Sequence, residues 1–138
     1  MLEGNYQASL EKLLACIACR VEVPAEWEGF YDRTGAVSPI PDDRRRYVRM
    51  FCRKQAILQV LPTLPAIERP RESFVVYMKD LSRGGFAILH AQQVFPRERL
   101  TLWTWGGKLQ GTAVRCVKHN AHCYEIGATV GFQKLPNT

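Results

Sequence analysis

No stretch of this chain approaches the roughly 20 consecutive apolar residues of a membrane-spanning helix. Its start, Met1-Leu2-Glu3-Gly4-Asn5, lacks the basic opening of a signal peptide. Disulfide scaffolding is also missing: the cysteines number five, an odd count, and follow no scaffold spacing. Together these absences lead us to expect a reduced, cytoplasmic setting. No Ser–His–Asp order, paired carboxylates or Gly-rich phosphate cradle is present, so the chain is not expected to be an enzyme and no cofactor is expected. Internal repeats and low-complexity segments are absent as well. Acid is in short supply, with 13 Asp and Glu against 19 Lys and Arg, a net charge of +6. Such an excess implies an anionic partner without choosing among nucleic acid, nucleotide and membrane surface.

What is present suits one domain with a real core: 138 residues, 46% of them apolar. Tyr6, Leu10, Leu13, Leu14 and Ile17 recur at helical spacing, which predicts an amphipathic helix from about residue 6 to 20, bounded by Pro24. Cys16-x-x-Cys19 falls within it. A zinc site needs a second ligand pair and a redox motif a preceding strand, so this pair is read as packing. Residues 24–43 carry Pro24, Gly29, Gly35, Pro39 and Pro41 and no periodicity, the composition of a linker. Trp27, Phe30 and Tyr31 are expected to pin it to the domain.

The pattern then turns to strands: 51–61, 73–79, 86–91, 98–105, 108–118 and 123–132. Prolines 62, 65 and 70 mark a loop, and Gly106-Gly107 a tight hairpin. In the last strand Tyr124, Ile126, Ala128, Val130 and Phe132 alternate with Glu125, Gly127, Thr129 and Gly131, as in a half-buried antiparallel strand. Trp103 and Trp105 share one strand face and Leu100 and Leu102 the other; one of the two faces is the core. His90, at a strand end, reads as surface, and His119, His122 and Cys123 as a turn rather than a metal site. The fold class is therefore mainly β, a six-stranded antiparallel β-barrel with an N-terminal α-helix. The expected division is helix and linker over 1–43, barrel over 44–133 and a tail over 134–138.

Two clusters stand out. Arg44, Arg45, Arg46 and Arg49 crowd the entrance to the first strand, and Asp80-Leu81-Ser82-Arg83-Gly84-Gly85 closes the second. Arg45-x-x-x-Arg49 followed by Asp80-x-Ser82-x-x-Gly85 resembles the PilZ family, whose domains bind the second messenger cyclic di-GMP. The likeness covers about residues 44–133, with 112–115 and 124–128 also similar to the family's later strands. It implies a cyclic di-GMP receptor that changes conformation on binding and signals to a partner protein. The implied ligand residues are Arg44, Arg45, Arg49, Asp80, Ser82 and Gly85.

The chemistry of those residue types is compatible. Helical or extended, a spacing of four points Arg45 and Arg49 the same way, so two guanidinium forks converge on phosphate or guanine O6/N7. Asp80 can accept from guanine N1–H and N2–H, and Ser82 can donate or accept. Gly84 and Gly85 allow a sharp turn and close approach to a ligand. In family members a basic residue at the place of Arg44 goes with a stacked, intercalated ligand dimer. The family usually has a helix after its last strand; here the N-terminal helix is expected to dock on the barrel instead, near Trp103 or Trp105. Three alternatives stay open: an adaptor that acts through protein contacts without nucleotide, a small basic barrel for RNA or single-stranded DNA, and, last for want of a catalytic constellation, an enzyme acting on nucleotides. The turn at 80–85 can also be no more than a hairpin held by Asp and Ser.

Overall fold

The structure, a computed structural model, describes residues 3–27, 50–51, 54–62, 64, 66–67, 69 and 72–130. Arg44, Arg45 and Arg49 lie outside the described residues, as do Phe30, Tyr31, Phe132 and the tail 134–138.

Among the described residues one helix, α1 (Glu3–Cys16), precedes seven strands: β1 (Met50–Phe51), β2 (Gln55–Val60), β3 (Phe74–Leu81), β4 (Gly85–His90), β5 (Arg99–Thr104), β6 (Gly107–Asn120) and β7 (Cys123–Val130). All strand pairings are antiparallel, in the order β1-β3-β2-β5-β6-β7-β4, and β4 returns to pair with β3. That last pairing closes a six-stranded barrel. Closure satisfies the backbone donors and acceptors that an open sheet would leave along its edges. The stretch expected as one strand over 51–61 is two, β1 and β2, both lying along β3. Lys54, between them, still accepts from the Met78 amide through its carbonyl at 2.8 Å.

Period-2 patterning fills the barrel. Ala56, Leu58, Val76, Met78, Phe86, Ile88, Leu100, Leu102, Ile126 and Ala128 point inward and form the main core. Each fully buried aliphatic side chain contributes roughly 1.5–3 kcal/mol. The face opposite Leu100 and Leu102 receives the helix. Tyr6, Leu14, Ile17, Trp103 and Trp105 pack around buried Leu10, Ile57 and Val75. The Tyr6 hydroxyl donates to the Thr104 carbonyl at 2.7 Å, and Gln7 donates to the Trp105 carbonyl at 2.9 Å. The helix thus docks on its own barrel beside both tryptophans, as expected.

Three expectations are corrected. The helix stops at Cys16 rather than 20. From there Val21 and Val23, two apart and β-branched, pack over buried Leu89 and Cys123 with Trp27 and Tyr77, which a helical course could not achieve. Cys19 therefore lies beyond the helix, in a parallel bridge to Val75, while Cys16 is exposed. Leu13, placed on the apolar stripe, is 43% exposed at its margin. His90 is not at the surface: it is 1% exposed. It continues the inward row of Phe86 and Ile88, and its ring meets Phe74 edge-on at 4.8 Å.

Candidate ligand-binding face

Strand register builds the candidate site on the outside of the barrel. Phe51 pairs with Asp80, Asp80 with Ala87, Ala87 with Gly127, and Gly127 with Arg115. These positions form one row across five strands. The rows on either side, Met78–Ile88–Ile126–Cys116 and Leu81–Phe86–Ala128–Ala113, belong to the core, so Asp80, Ala87 and Arg115 in the row between them face outward. Ala87 and Gly127 are small, and they lie between a carboxylate, Asp80, and a guanidinium, Arg115.

Two bulges put those charges there. The register of β3 against β4 slips between Met78 and Asp80, and that of β6 against β7 between Ala113 and Arg115. Unbroken alternation after Val76 and Met78 would aim Asp80 into the barrel. The extra residue turns Asp80 outward and sends Leu81 to the core instead. The same slip turns Arg115 outward and Cys116 inward. Asp80 is nonetheless only 4% exposed, so its carboxylate is sheltered.

The β3–β4 turn clasps itself. The Ser82 amide donates to the Gly85 carbonyl at 2.9 Å, and the Ser82 hydroxyl accepts from the Gly84 amide at 3.2 Å. Gly84 in turn accepts from the Val130 amide at 3.0 Å. A Cβ on Gly85 would stand 2.3 Å from the Ala128 carbonyl oxygen, so the close approach that this glycine permits is to β7. Ser82 and Gly85 therefore fix the position of the turn that follows Asp80.

Beside the row lies Glu125, a carboxylate shared by three bases. His119 Nε2 stands 2.9 Å from it, Lys79 Nζ 3.4 Å and Arg115 Nη2 3.5 Å. Burial alone would raise the Glu125 carboxyl, but the His119 hydrogen bond and the two cations outweigh it and hold the group below the usual range. The Arg115 stem lies across Gly127, where a Cβ would meet its Nε at 2.9 Å. Burial, with Glu125 next, pushes the Cys123 thiol up to about 11, so it stays protonated. Among the described residues no group of three His, Cys, Asp or Glu could hold a metal ion.

Both neighbours of the segment 28–49 are anchored on this face. On one side Trp27 meets the His119 ring edge-on at 4.8 Å, the Glu22 amide donates to the His122 carbonyl, and the Glu22 carbonyl accepts from Asn120 Nδ2. On the other, Met50 pairs with Leu81. A hollow of about 480 Å³ between α1 and the β5–β6 turn, lined by Tyr6, Trp103, Trp105 and Lys108 among others, shares no residue with the row.

Of the residues named from sequence, Asp80, Ser82 and Gly85 come together at one turn. Lys79, Arg115, His119 and Glu125 were missed as a group, because the bulges and the cross-strand register that assemble them leave no local pattern. Fold and face define a small closed antiparallel barrel carrying an outer charged row. No family model matches the chain, and no curated protein or solved structure matches it. No helix among the described residues is long and apolar enough to cross a membrane.

Proposed function

We propose that this chain is a cyclic di-GMP receptor of the PilZ type, working in the cytoplasm and signalling to a partner protein without chemistry of its own. The observation that carries this reading is the β1–β3 register. Arg49 is followed directly by Met50, which pairs with Leu81, and Phe51 pairs with Asp80. Met50, the residue that follows the arginine motif, and the Asp-x-Ser motif are therefore neighbours across one strand pair, although far apart in sequence. Arg45 and Arg49 take phosphate or the guanine O6/N7 edge, each bidentate pair adding roughly 1–3 kcal/mol. Asp80 accepts from guanine N1–H and N2–H. Arg44 lies flat against a purine and offsets the charge of a second, stacked nucleotide. Binding holds the Arg44–Arg49 segment against β3, and that change is read by the partner.

The net charge of +6 supports an anionic ligand, and the free thiols of the four described cysteines support a reducing compartment. Calorimetric titration of the intact chain with cyclic di-GMP, beside Arg45→Ala and Arg49→Ala, tests the reading. Binding by the parent in the micromolar range or tighter, lost in both variants, is the expected result. One observation favours a second reading, an adaptor that binds no nucleotide. Ser82 and Gly85 already serve the turn and the β7 contact, so their presence has an architectural use. A parent chain that gives no binding heat would select the adaptor.

A further inference from the structure

A second outer surface, built on the turn Phe95-Pro96-Arg97-Glu98, has a different composition. The Glu98 amide donates to the Phe95 carbonyl at 3.1 Å, Pro96 fixes the first corner, and Arg97 takes the second corner with φ +82°. That combination defines a type II turn, whose second corner is ordinarily glycine. Arg97 is the only non-glycine residue with positive φ among the described residues. Its guanidinium makes no hydrogen bond or ion pair with them, so among the described residues no side-chain partner offsets the strain.

The turn is tied to β6 at the bulge. The Arg97 amide donates to the Ala113 carbonyl at 2.7 Å, and the Ala113 amide to the Glu98 carbonyl at 2.9 Å. The extra residue of the bulge is Val114, which is 52% exposed, and Phe95 is 40% exposed. Two of the four large apolar side chains exposed among the described residues thus flank one strained arginine. Two further arginines are exposed nearby, Arg99 and Arg115, the latter 3.5 Å from the Glu125 carboxylate. The stretches 91–99 and 112–118 hold a single carboxylate, Glu98, and it is fully buried. Arg69 grips it through two bonds of 2.7 Å.

We infer that Phe95, Arg97 and Val114 form a docking surface for an acidic segment of a partner protein that also carries apolar side chains. Arginine and exposed aromatic side chains are enriched at protein-binding surfaces, and Arg97 and Phe95 supply both here. Single-stranded nucleic acid would call for successive aromatic platforms, and this surface has one aromatic. An anionic membrane would call for a broad basic cluster without a central apolar pair. The surface does not use the nucleotide motifs, so it stands or falls independently of the receptor reading.

The test uses the full chain, with amide NMR shifts and titration as readouts. Four probes are compared: a short synthetic peptide alternating Asp and Glu with Leu and Phe, its counterpart with Lys in place of the acids, a single-stranded RNA oligonucleotide, and phosphatidylglycerol vesicles. The acidic peptide is expected to shift residues 95–98 and 113–115, and the other three to leave them unmoved. Arg97→Gly relieves the strained corner, so it should raise Tm by about 2–4 °C while weakening the peptide about tenfold. Val114→Ser should weaken the peptide without that gain in Tm. An Arg97→Gly chain that melts lower, or that binds the peptide as the parent does, overturns the inference. So does a shift caused by RNA or vesicles, or by none of the probes.

Discussion

At the scale of single residues, the fold tolerates two buried ionisable groups in opposite ways. Glu98 is matched by the Arg69 fork and by the Phe95 amide at 2.8 Å. His90 is not matched: its Nδ1 is buried without a hydrogen-bond partner among the described residues. Burial, and then the nearby Arg69 charge, push its pKa down from 6.5 to about 4. The unfolded chain takes up a proton near pH 6.5 that the folded chain refuses until about pH 4. Stability should therefore fall as pH drops through that window, by roughly 3 kcal/mol in all. Denaturant titrations at several pH values should show this slope in the parent and its loss in His90→Phe. Glu98 and Glu125, held below the ordinary 4.5, add their own losses only as pH falls under that value. Gly85 gives a second residue-scale prediction. Gly85→Val would drive a side chain into the Ala128 carbonyl, and should cost at least roughly 2–3 kcal/mol in chemical denaturation. His90 reads as surface from its place at a strand end, and the alternation Phe86, Ile88, His90 is the signal that this reading passes over. The clasp from Ser82 to Gly84 was legible from the residue types alone.

At the scale of elements, the strands from 73 to 130 were legible because alternation and tight turns are local signals. The hairpin at Gly106-Gly107 closes as expected, with Thr104 Oγ1 accepting from the Gly106 amide at 3.0 Å and Gly107 at φ +129°. What escaped was whatever depends on a neighbouring strand. The bulges at Lys79 and Val114 exist only in register with β4 and β7, and they decide that Asp80 and Arg115 face outward. The extended course after Cys16 is likewise set by the apolar surface at Leu89 and Cys123. Helix docking can be tested directly. Leu10 is almost wholly buried against Ile57 and Val75, so Leu10→Ala should cost roughly 2–4 kcal/mol. Removing residues 1–22 should lower Tm and increase aggregation, as judged by calorimetry and light scattering, because the Ile57–Val75–Trp103 face would be uncovered. A truncated chain that melts with the parent would show that the helix contributes little to the barrel.

At the scale of the whole molecule, a closed barrel supplies the outer wall that carries Asp80 and Arg115. The segment that carries Arg44, Arg45 and Arg49 connects Trp27 to Met50, both held on that wall, and Met50 enters beside Asp80. The two motifs follow one another in the sequence, and the β1–β3 register sets Met50, the residue after Arg49, opposite Leu81. Arg44 extends the account to stoichiometry, with two nucleotides expected per chain and a ratio moving toward one in Arg44→Leu. The most direct test of the central claim is calorimetric titration of the intact chain with cyclic di-GMP. The account predicts saturable binding with a Kd of about 1 μM or tighter, near −8 kcal/mol, and none in Arg45→Ala or Arg49→Ala. No binding heat from the parent, or parent-like curves from both variants, would contradict it.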